Sequence, residues 1–379
     1  MNNEREGVAM HSTLAQARCE VGDGKTNGLY RIPFIPESMP NEKHAHVGVI
    51  ARGTYNCSVP LIRKSRLTTL ELGGIGKNLS EGWCLNFAVG CTHGCPFCYV
   101  DSIHKRFGKH RYGSIVLKKW GDYLLVPENF KEAVDETPWE RWKGAEVMLS
   151  STHDPYIPEL KGMAHAILAK ALPKGVRFCI QTRSTRVLDD LTILAEYRNQ
   201  VRLQISLATS DEEFARKIEP RVPSPASRLR ILREAKDSGI RIGVIVAPVF
   251  PPLTARPDVR RDMKEIASML SDVKPDYIFG ESLHVRGGNY RLLEEILQEP
   301  IRSKDDFDEV VSSVYRGELK RRGLDATWWP DSRHIHSAYR RNSGPLDGTG
   351  FLVRANGGNG ICREQRRTTG NGLRGISQT

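Results

Sequence analysis

The chain has 379 residues, 39% of them hydrophobic and 27% charged, enough for one large domain with extensions or two ordinary ones. It has no run of about 18 apolar residues, so no helix is expected to cross a membrane, and the polar, acid-bearing amino terminus argues against a secretory leader. A net charge of +11 is compatible with a nucleic-acid or phosphate-bearing partner, and eight unevenly spread cysteines, three of them in one loop, point to a reducing cytoplasm rather than a disulfide framework.

Residues 1–79 read as an irregular amino-terminal extension that ends in a covering strand or turn near 61–70. His44 and His46 alternate on a short stretch and, with Cys57, are either a metal set or solvated loop residues. From residue 83 a strand–helix alternation begins. Strands are predicted at 83–89, 146–151, 176–182, 201–208, 242–249 and 277–281, and amphipathic helices at 128–135, 159–172, 188–197, 226–237 and 259–270. Six strands alternating with helices predict a parallel sheet with right-handed crossovers over 80–288. A carboxy-terminal helical extension, 289–340, carries helices at 290–297 and 306–321, then Trp328 and Trp329, which we read as packing residues rather than a base-stacking platform. Residues 341–379 are rich in Gly, Asn and Arg and are expected to be a disordered basic tail. The basic excess is dispersed, and no run of Lys and Arg interleaved with aromatics stands out as a binding stripe.

The chemistry is concentrated in Asn86-Phe-Ala-Val-Gly-Cys91-Thr-His-Gly-Cys95-Pro-Phe-Cys98-Tyr99, at the end of the first strand. Gly90 and Gly94 let the backbone curl and Pro96 stiffens the last turn, so three thiolates can converge. Iron–sulfur clusters normally take four thiolates. Three in one tight loop point to a [4Fe–4S] cluster with one iron left for a ligand that is not protein. The alternatives are a zinc site that adds His93, a redox pair of Cys95 and Cys98, or a fourth ligand from Cys84 or Cys57.

The C-x₃-C-x₂-C spacing, with aromatic Phe97 before the last cysteine, resembles the signature of the radical S-adenosylmethionine (SAM) superfamily. The resemblance implies an α/β fold, a partial (β/α)₆ TIM-like barrel with its chemistry at the carboxyl ends of the strands. It also implies that SAM chelates the open iron through its amino and carboxylate groups. An electron donor such as flavodoxin or ferredoxin then drives cleavage of SAM to methionine and a 5′-deoxyadenosyl radical.

Four further segments fall at strand ends: Ser150-Ser-Thr-His-Asp154-Pro-Tyr156, Gln181-Thr-Arg183-Ser184, Glu219-Pro-Arg221 and Ala247-Pro-Val-Phe-Pro-Pro252. With the cysteine loop they resemble the spore photoproduct lyase-like, or DNA repair photolyase-like, branch of the superfamily. Strand alternation puts Arg177, Cys179, Gln181 and Arg183 on one face and Arg202, Gln204 and Ser206 on another, so the lumen reads as a polar ligand chamber.

The resemblance suggests Arg183 for the SAM carboxylate, where a guanidinium forks onto two oxygens; otherwise it pairs with Glu219 or Asp154. Ser150 or Ser151 would meet the SAM ammonium, Ser206 the ribose and Phe97 the adenine. Asp154, Tyr156, Glu219, Arg221, Glu281 and His284 are the candidates for substrate contact, and Tyr99 and Cys179 for catalysis. The chain departs from the lyase in two ways: Phe97 stands where the lyase resemblance implies tyrosine, and no cysteine lies between Cys98 and Cys179 to return hydrogen. The expectation is a radical SAM enzyme acting on an unidentified substrate, with DNA lesion repair as one case. The competing class is a non-catalytic iron–sulfur or zinc protein that binds nucleic acid through its basic surface.

Overall fold

The computed structural model describes residues 50–64, 80, 82–283, 289–301 and 307–328. Its backbone is one eight-stranded sheet. The strands are β2 (Ile62–Lys64), β3 (Trp83–Leu85), β5 (Glu146–Leu149), β6 (Arg177–Thr182), β7 (Val201–Ser206), β8 (Arg241–Val249), β9 (Tyr277–Ser282) and β10 (Ala326–Trp328). They lie in the order β10-β9-β8-β7-β6-β5-β3-β2. Every neighbouring pair is parallel except β2 with β3. β2 and β10 are edges that do not pair with each other, so the barrel is partial and open.

The outward faces explain why the sheet forms. Val147, Phe178, Ile180, Leu203, Ile205, Val244 and Ile278 alternate with inward residues and are almost fully buried. Their cover comes from α4 (Lys161–Ala171), α7 (Pro225–Asp237) and α8 (Val259–Val273), which bury Ile167 and Leu168, Leu229 and Ile231, and Ile266 and Leu270. Each such side chain stabilises the fold by about 1.5–3 kcal/mol.

The inward faces are layered. At the floor Arg202 forks onto Glu146 with bonds of 2.6 and 3.0 Å, and its guanidinium lies 5.5 Å from the ring centroid of Tyr277. Gly243 makes room for that ring, since a Cβ there would sit 2.0 Å from the Tyr277 Cζ. Above it Cys84, Met148, Cys179, Ile245 and Phe279 form a small apolar cluster of their own. Polar groups return in the upper layer, where Gln181 Nε2 donates to Ser206 Oγ at 3.2 Å. The lumen is therefore a polar mouth over an apolar plug, not the uniformly polar chamber expected from alternation.

Several elements depart from expectation. The first barrel strand ends at Leu85 rather than Val89, because the chain leaves the sheet at Asn86 to build the cysteine loop. Val89 instead bridges Leu125 in β4 (Tyr123–Pro127), which pairs in parallel with β1 (Ala51–Tyr55) as a separate two-stranded sheet. Neither β1 nor β4 was expected. Residues 99–117 are a further surprise: α1 (Tyr99–Ile103), a π-turn over His104–Gly108, α2 (Lys109–Tyr112) and a 3₁₀ turn over Gly113–Leu117.

The helix expected at 128–135 is α3 (Phe130–Glu136), and that expected at 188–197 is a 3₁₀ turn leading into α5 (Leu191–Glu196). An extra helix, α6 (Glu212–Ile218), is capped by Asp211, which accepts from Phe214 N at 2.9 Å. The carboxy-terminal segment is not purely helical. After α9 (Asn289–Leu297) and α10 (Asp308–Arg321) it adds β10 to β9, continuing the alternation. Trp328 is buried there, its ring 5.0 Å from that of Tyr315, as a packing residue. His44, His46, His284, Trp329 and the tail lie outside the described residues. No described helix is long and apolar enough to cross a membrane.

Candidate metal centre at the barrel mouth

The cysteine loop leaves β3 and ends where Cys98 opens α1. Two tight turns shape it, closed by Gly94 N donating to Cys91 O at 3.2 Å and Cys98 N to Cys95 O at 3.0 Å. Gly94 has φ +64° and meets Gly121, φ +96°, so closely that a Cβ on Gly121 would stand 2.6 Å from the Gly94 Cα. Only glycine tolerates that conformation and that contact. The loop is thus pressed against the turn before β4.

Cys91 and Cys95 are buried, Cys98 is half-buried, and all three are free thiols. Burial pushes the Cys91 thiol up to about 12, with the Asp154 carboxylate adding to it. Burial likewise takes Cys98 up to about 12 and raises Cys95. Thiols so disfavoured as anions are donors that a metal centre deprotonates on binding. The chemistry of the donor set and the glycine cradle both fit an iron–sulfur group. Among the described residues no three His, Cys, Asp or Glu side chains gather tightly enough to share a single metal ion. A cuboidal cluster asks for a wider triangle, because each thiolate ligates a different iron. His93, the fourth ligand of the zinc alternative, turns its Nδ1 to Asp154 Oδ2 at 3.5 Å.

Side chains from other strand ends hold the loop in place. Asp154 is the hub. Its carboxylate accepts from Thr182 Oγ1 and Arg183 N, both at 2.7 Å, and from Tyr156 N at 2.9 Å, besides facing His93. Arg221 reaches across the mouth: Nη1 donates to Gly121 O at 2.6 Å and Thr92 O at 3.1 Å, and Nη2 to Asp122 Oδ1 at 2.9 Å. Thr92 Oγ1 donates to Glu159 Oε2 at 3.0 Å. Asn86 Oδ1 accepts from Ser151 N at 2.9 Å, and Tyr99 Oη donates to Ser151 O at the same distance.

Arg183 stands beside the loop, partly exposed, with its guanidinium 5.7 Å from the Phe97 ring centroid. Its Nε donates to Glu219 Oε1 at 2.9 Å, and Nη2 makes a long bond of 3.3 Å to Ala247 O. Glu219 is buried between Arg183 and Arg228, whose Nη2 donates to Glu219 Oε2 at 2.5 Å. Burial works to raise the Glu219 carboxyl, but Arg228 and then Arg183 outweigh it and hold the group below the usual glutamate range. Two cations and one anion leave this trio with a net positive charge beside the cysteine loop.

The structure sorts the candidate residues. Cys91, Cys95, Cys98, Phe97, Tyr99, Ser151 and Arg183 are brought together at the mouth. Ser206 is close below but fully buried, accepting from Gln181. Ser150 Oγ closes a local turn, donating to His153 O at 2.7 Å and accepting from His153 N at 3.2 Å. The Tyr156 ring is fully buried, and its Oη donates to Asp190 Oδ2 at 2.9 Å. Asp154, Glu219 and Arg221 make the contacts described above. Cys179 sits in the apolar plug, and burial pushes its thiol up to about 12. Glu281 is half-buried at the end of β9. Sequence reasoning gave no role to Asn86, Gly121, Asp122 and Arg228, and gave His93 only a zinc one. Gly121 alone carried a signal, as a glycine next to an aromatic at a turn.

The radical SAM superfamily profile matches residues 85–263. The chain is 51% identical over 280 residues to the protein ORF301 of Acidianus two-tailed virus, which covers 74% of this chain and 93% of that one. It is 23% identical over 255 residues to MJ0683 of Methanocaldococcus jannaschii, covering 64% and 89% of the two chains. Among solved structures, a spore photoproduct lyase mutant with bound AdoMet and dinucleoside spore photoproduct superposes with a TM-score of 0.52 at 13% identity, over 73% of this chain and 81% of that one. The lyase complexed with the dinucleoside alone gives 0.51 at 14%. These two likenesses are ones of fold.

Proposed function

Since the chain belongs to the radical SAM superfamily, we propose that it reductively cleaves SAM and directs the radical so formed at a substrate held over the barrel mouth. A [4Fe–4S] cluster on Cys91, Cys95 and Cys98 supplies, when bound and reduced, the electron that splits SAM into methionine and a 5′-deoxyadenosyl radical. The observation that carries this reading is the pairing of a pinned three-cysteine loop with a cation anchored beside it. Glu219 takes the Nε donor of Arg183 and Ala247 O takes one donor of Nη2 by a long bond, which leaves donors on the Nη edge. That edge is the one a ligand carboxylate can fork onto, and the net positive charge of the trio with Arg228 matches it.

The other residues of the mouth orient and enclose. Phe97, packed edge-on to Phe250 at 5.8 Å, gives an apolar wall suited to a purine face. Ser151 is fixed by Asn86 beside the loop, in place to take an ammonium donor. The apolar plug beneath keeps water from entering from below. Of the two catalytic candidates, Tyr99 belongs to the mouth, half-buried and tied to Ser151 O, whereas Cys179 is enclosed. Hydrogen return through Tyr99 is the reading we favour, on a substrate of the lyase-like kind. To test this, the protein is reconstituted anaerobically, reduced with dithionite, and followed by EPR as SAM is added. The cluster signal should shift with SAM in the wild type, and no cluster should assemble when all three cysteines are replaced by alanine. A SAM-insensitive signal would overturn the reading.

A further inference from the structure

Residues 102–121 contain six lysines and arginines and no acid, so more than half of the chain's net charge of +11 lies in twenty residues. The fold leaves all six of these cations at the surface. Val100, Asp101, His104, Gly108 and Val116 turn inward and are buried, with His104 Nδ1 3.1 Å from Tyr123 Oη. Lys105, Arg106, Lys109, Arg111, Lys118 and Lys119 are all exposed on the other side. Lys105 pairs with Asp101 at 2.8 Å, and no carboxylate among the described residues pairs with the other five. Aromatics are interleaved with them. Phe107 is 65% exposed, with the Arg106 guanidinium 5.1 Å from its centroid, and Arg111 lies 5.3 Å from the centroid of Tyr112. The expectation that no such run exists is corrected here: Lys105-Arg-Phe-Gly-Lys-His-Arg-Tyr112 is one, and the sequence reading passed over it.

We infer that the exposed face of 105–119 binds a single strand of nucleic acid, with the cations on its phosphates and Phe107 stacked on a base. A row of unpaired cations with a bare aromatic is the arrangement that holds such strands without regard to sequence. Four of the six cations are lysines, a residue depleted in protein–protein interfaces, which disfavours an acidic protein as the occupant. The face also begins where the cluster loop ends: Lys105 is seven residues past Cys98, about 10 Å of helical rise. A strand lying on it is led toward the mouth. As a statement about substrate this rests on the radical SAM reading; as a statement about binding it does not.

The test uses the full, cluster-loaded chain without SAM or reductant, and the fluorescence anisotropy of a labelled oligo-dT of about 12 nucleotides, within the site sizes such proteins show. Five free cations give a slope of log affinity against log salt near −3.5, or about a hundredfold weakening from about 50 to about 200 mM salt. The double variant Lys109→Gln/Arg111→Gln should lose about 1.4 of that slope. A matched control, Lys264→Gln/Lys320→Gln, on exposed positions of α8 and α10, should keep all of it. Phe107→Ala should bind about tenfold more weakly with the slope unchanged. All these side chains are exposed, so the melting temperatures should agree, and a variant that melts early is replaced by its Lys109→Gln or Arg111→Gln single. A wild-type slope in the face variants overturns the inference. So does polyglutamate binding as tightly as oligo-dT with no effect of Phe107→Ala, which marks a surface for acidic protein. Release of 5′-deoxyadenosine is measured separately, so either reading can fail while the other stands.

Discussion

Replacing Arg183 by alanine removes the proposed SAM carboxylate anchor without touching a cluster ligand. The guanidinium makes two contacts in the structure, an ion pair with Glu219 at 2.9 Å and a long bond from Nη2 to Ala247 O at 3.3 Å. Losing a charge-assisted bond to the SAM carboxylate should weaken SAM binding by about 1.5–3 kcal/mol, or about 10- to 150-fold. The stability cost should be smaller. Glu219 keeps Arg228 at 2.5 and 3.2 Å, so no carboxylate is orphaned, and the Arg183 side chain is 21% exposed, so solvent screens what is lost. About 1 kcal/mol is a reasonable ceiling for such a pair. Arg228→Ala makes the contrast: that side chain is 1% exposed and its loss leaves a buried anion half-compensated, a case that costs about 3–5 kcal/mol. SAM titrations followed by cluster EPR, alongside thermal melts, separate the two. Arg183→Lys should recover part of the affinity, since the charge returns without the fork. A folded, cluster-loaded Arg183→Ala protein that binds SAM as well as wild type refutes the assignment and leaves Arg183 as a structural partner of Glu219.

Arg221→Ala should leave the fold intact but free the loop at Thr92 O and Gly121 O, so iron should pass to a chelator several-fold faster than from wild type; equal release rates would count against a clamp. Gly121→Ala should destabilise the protein by about 1–3 kcal/mol in urea, because φ +96° and the contact with Gly94 both oppose a Cβ, and unchanged stability would mean that the two turns do not meet. The pH dependence follows from Glu219, whose folded carboxyl is held below its ordinary range. Its contribution is full above the unfolded glutamate value near about 4.3 and is lost as pH falls through the lower folded value. Wild type should therefore lose more melting temperature on acidification through that window than Glu219→Gln does; parallel curves would show that Glu219 is not ion-paired in solution.

The parts of the fold that were legible are those written in local sequence. Alternation or a continuous apolar run over four to nine residues marked β5, β6, β7, β8 and β9, and three cysteines in eight residues marked the loop. Alternation tells which face a residue is on but not its depth, so Gln181 and Cys179 looked alike although one reaches the mouth and the other the apolar plug. β1 and β4 were missed because each is short and needs the other, 72 residues away, to be a strand at all. The clamps were out of reach for the same reason. Arg221 meets Thr92 across 129 residues, and nothing near either residue announces the contact. For Glu219 and Asp154 the sequence left substrate contact and a structural role open; here Glu219 pairs with two arginines, and Asp154 accepts from Thr182 Oγ1 and two backbone N–H groups.

The central claim is that this chain makes a radical from SAM at its three-cysteine loop. The most direct measurement is the yield of 5′-deoxyadenosine from anaerobically reconstituted protein given dithionite and SAM, with the Cys91, Cys95 and Cys98 alanine variant as its control. We expect product from the wild type and none from the variant. No 5′-deoxyadenosine from a fully cluster-loaded wild type, with or without nucleic acid present, would contradict the claim.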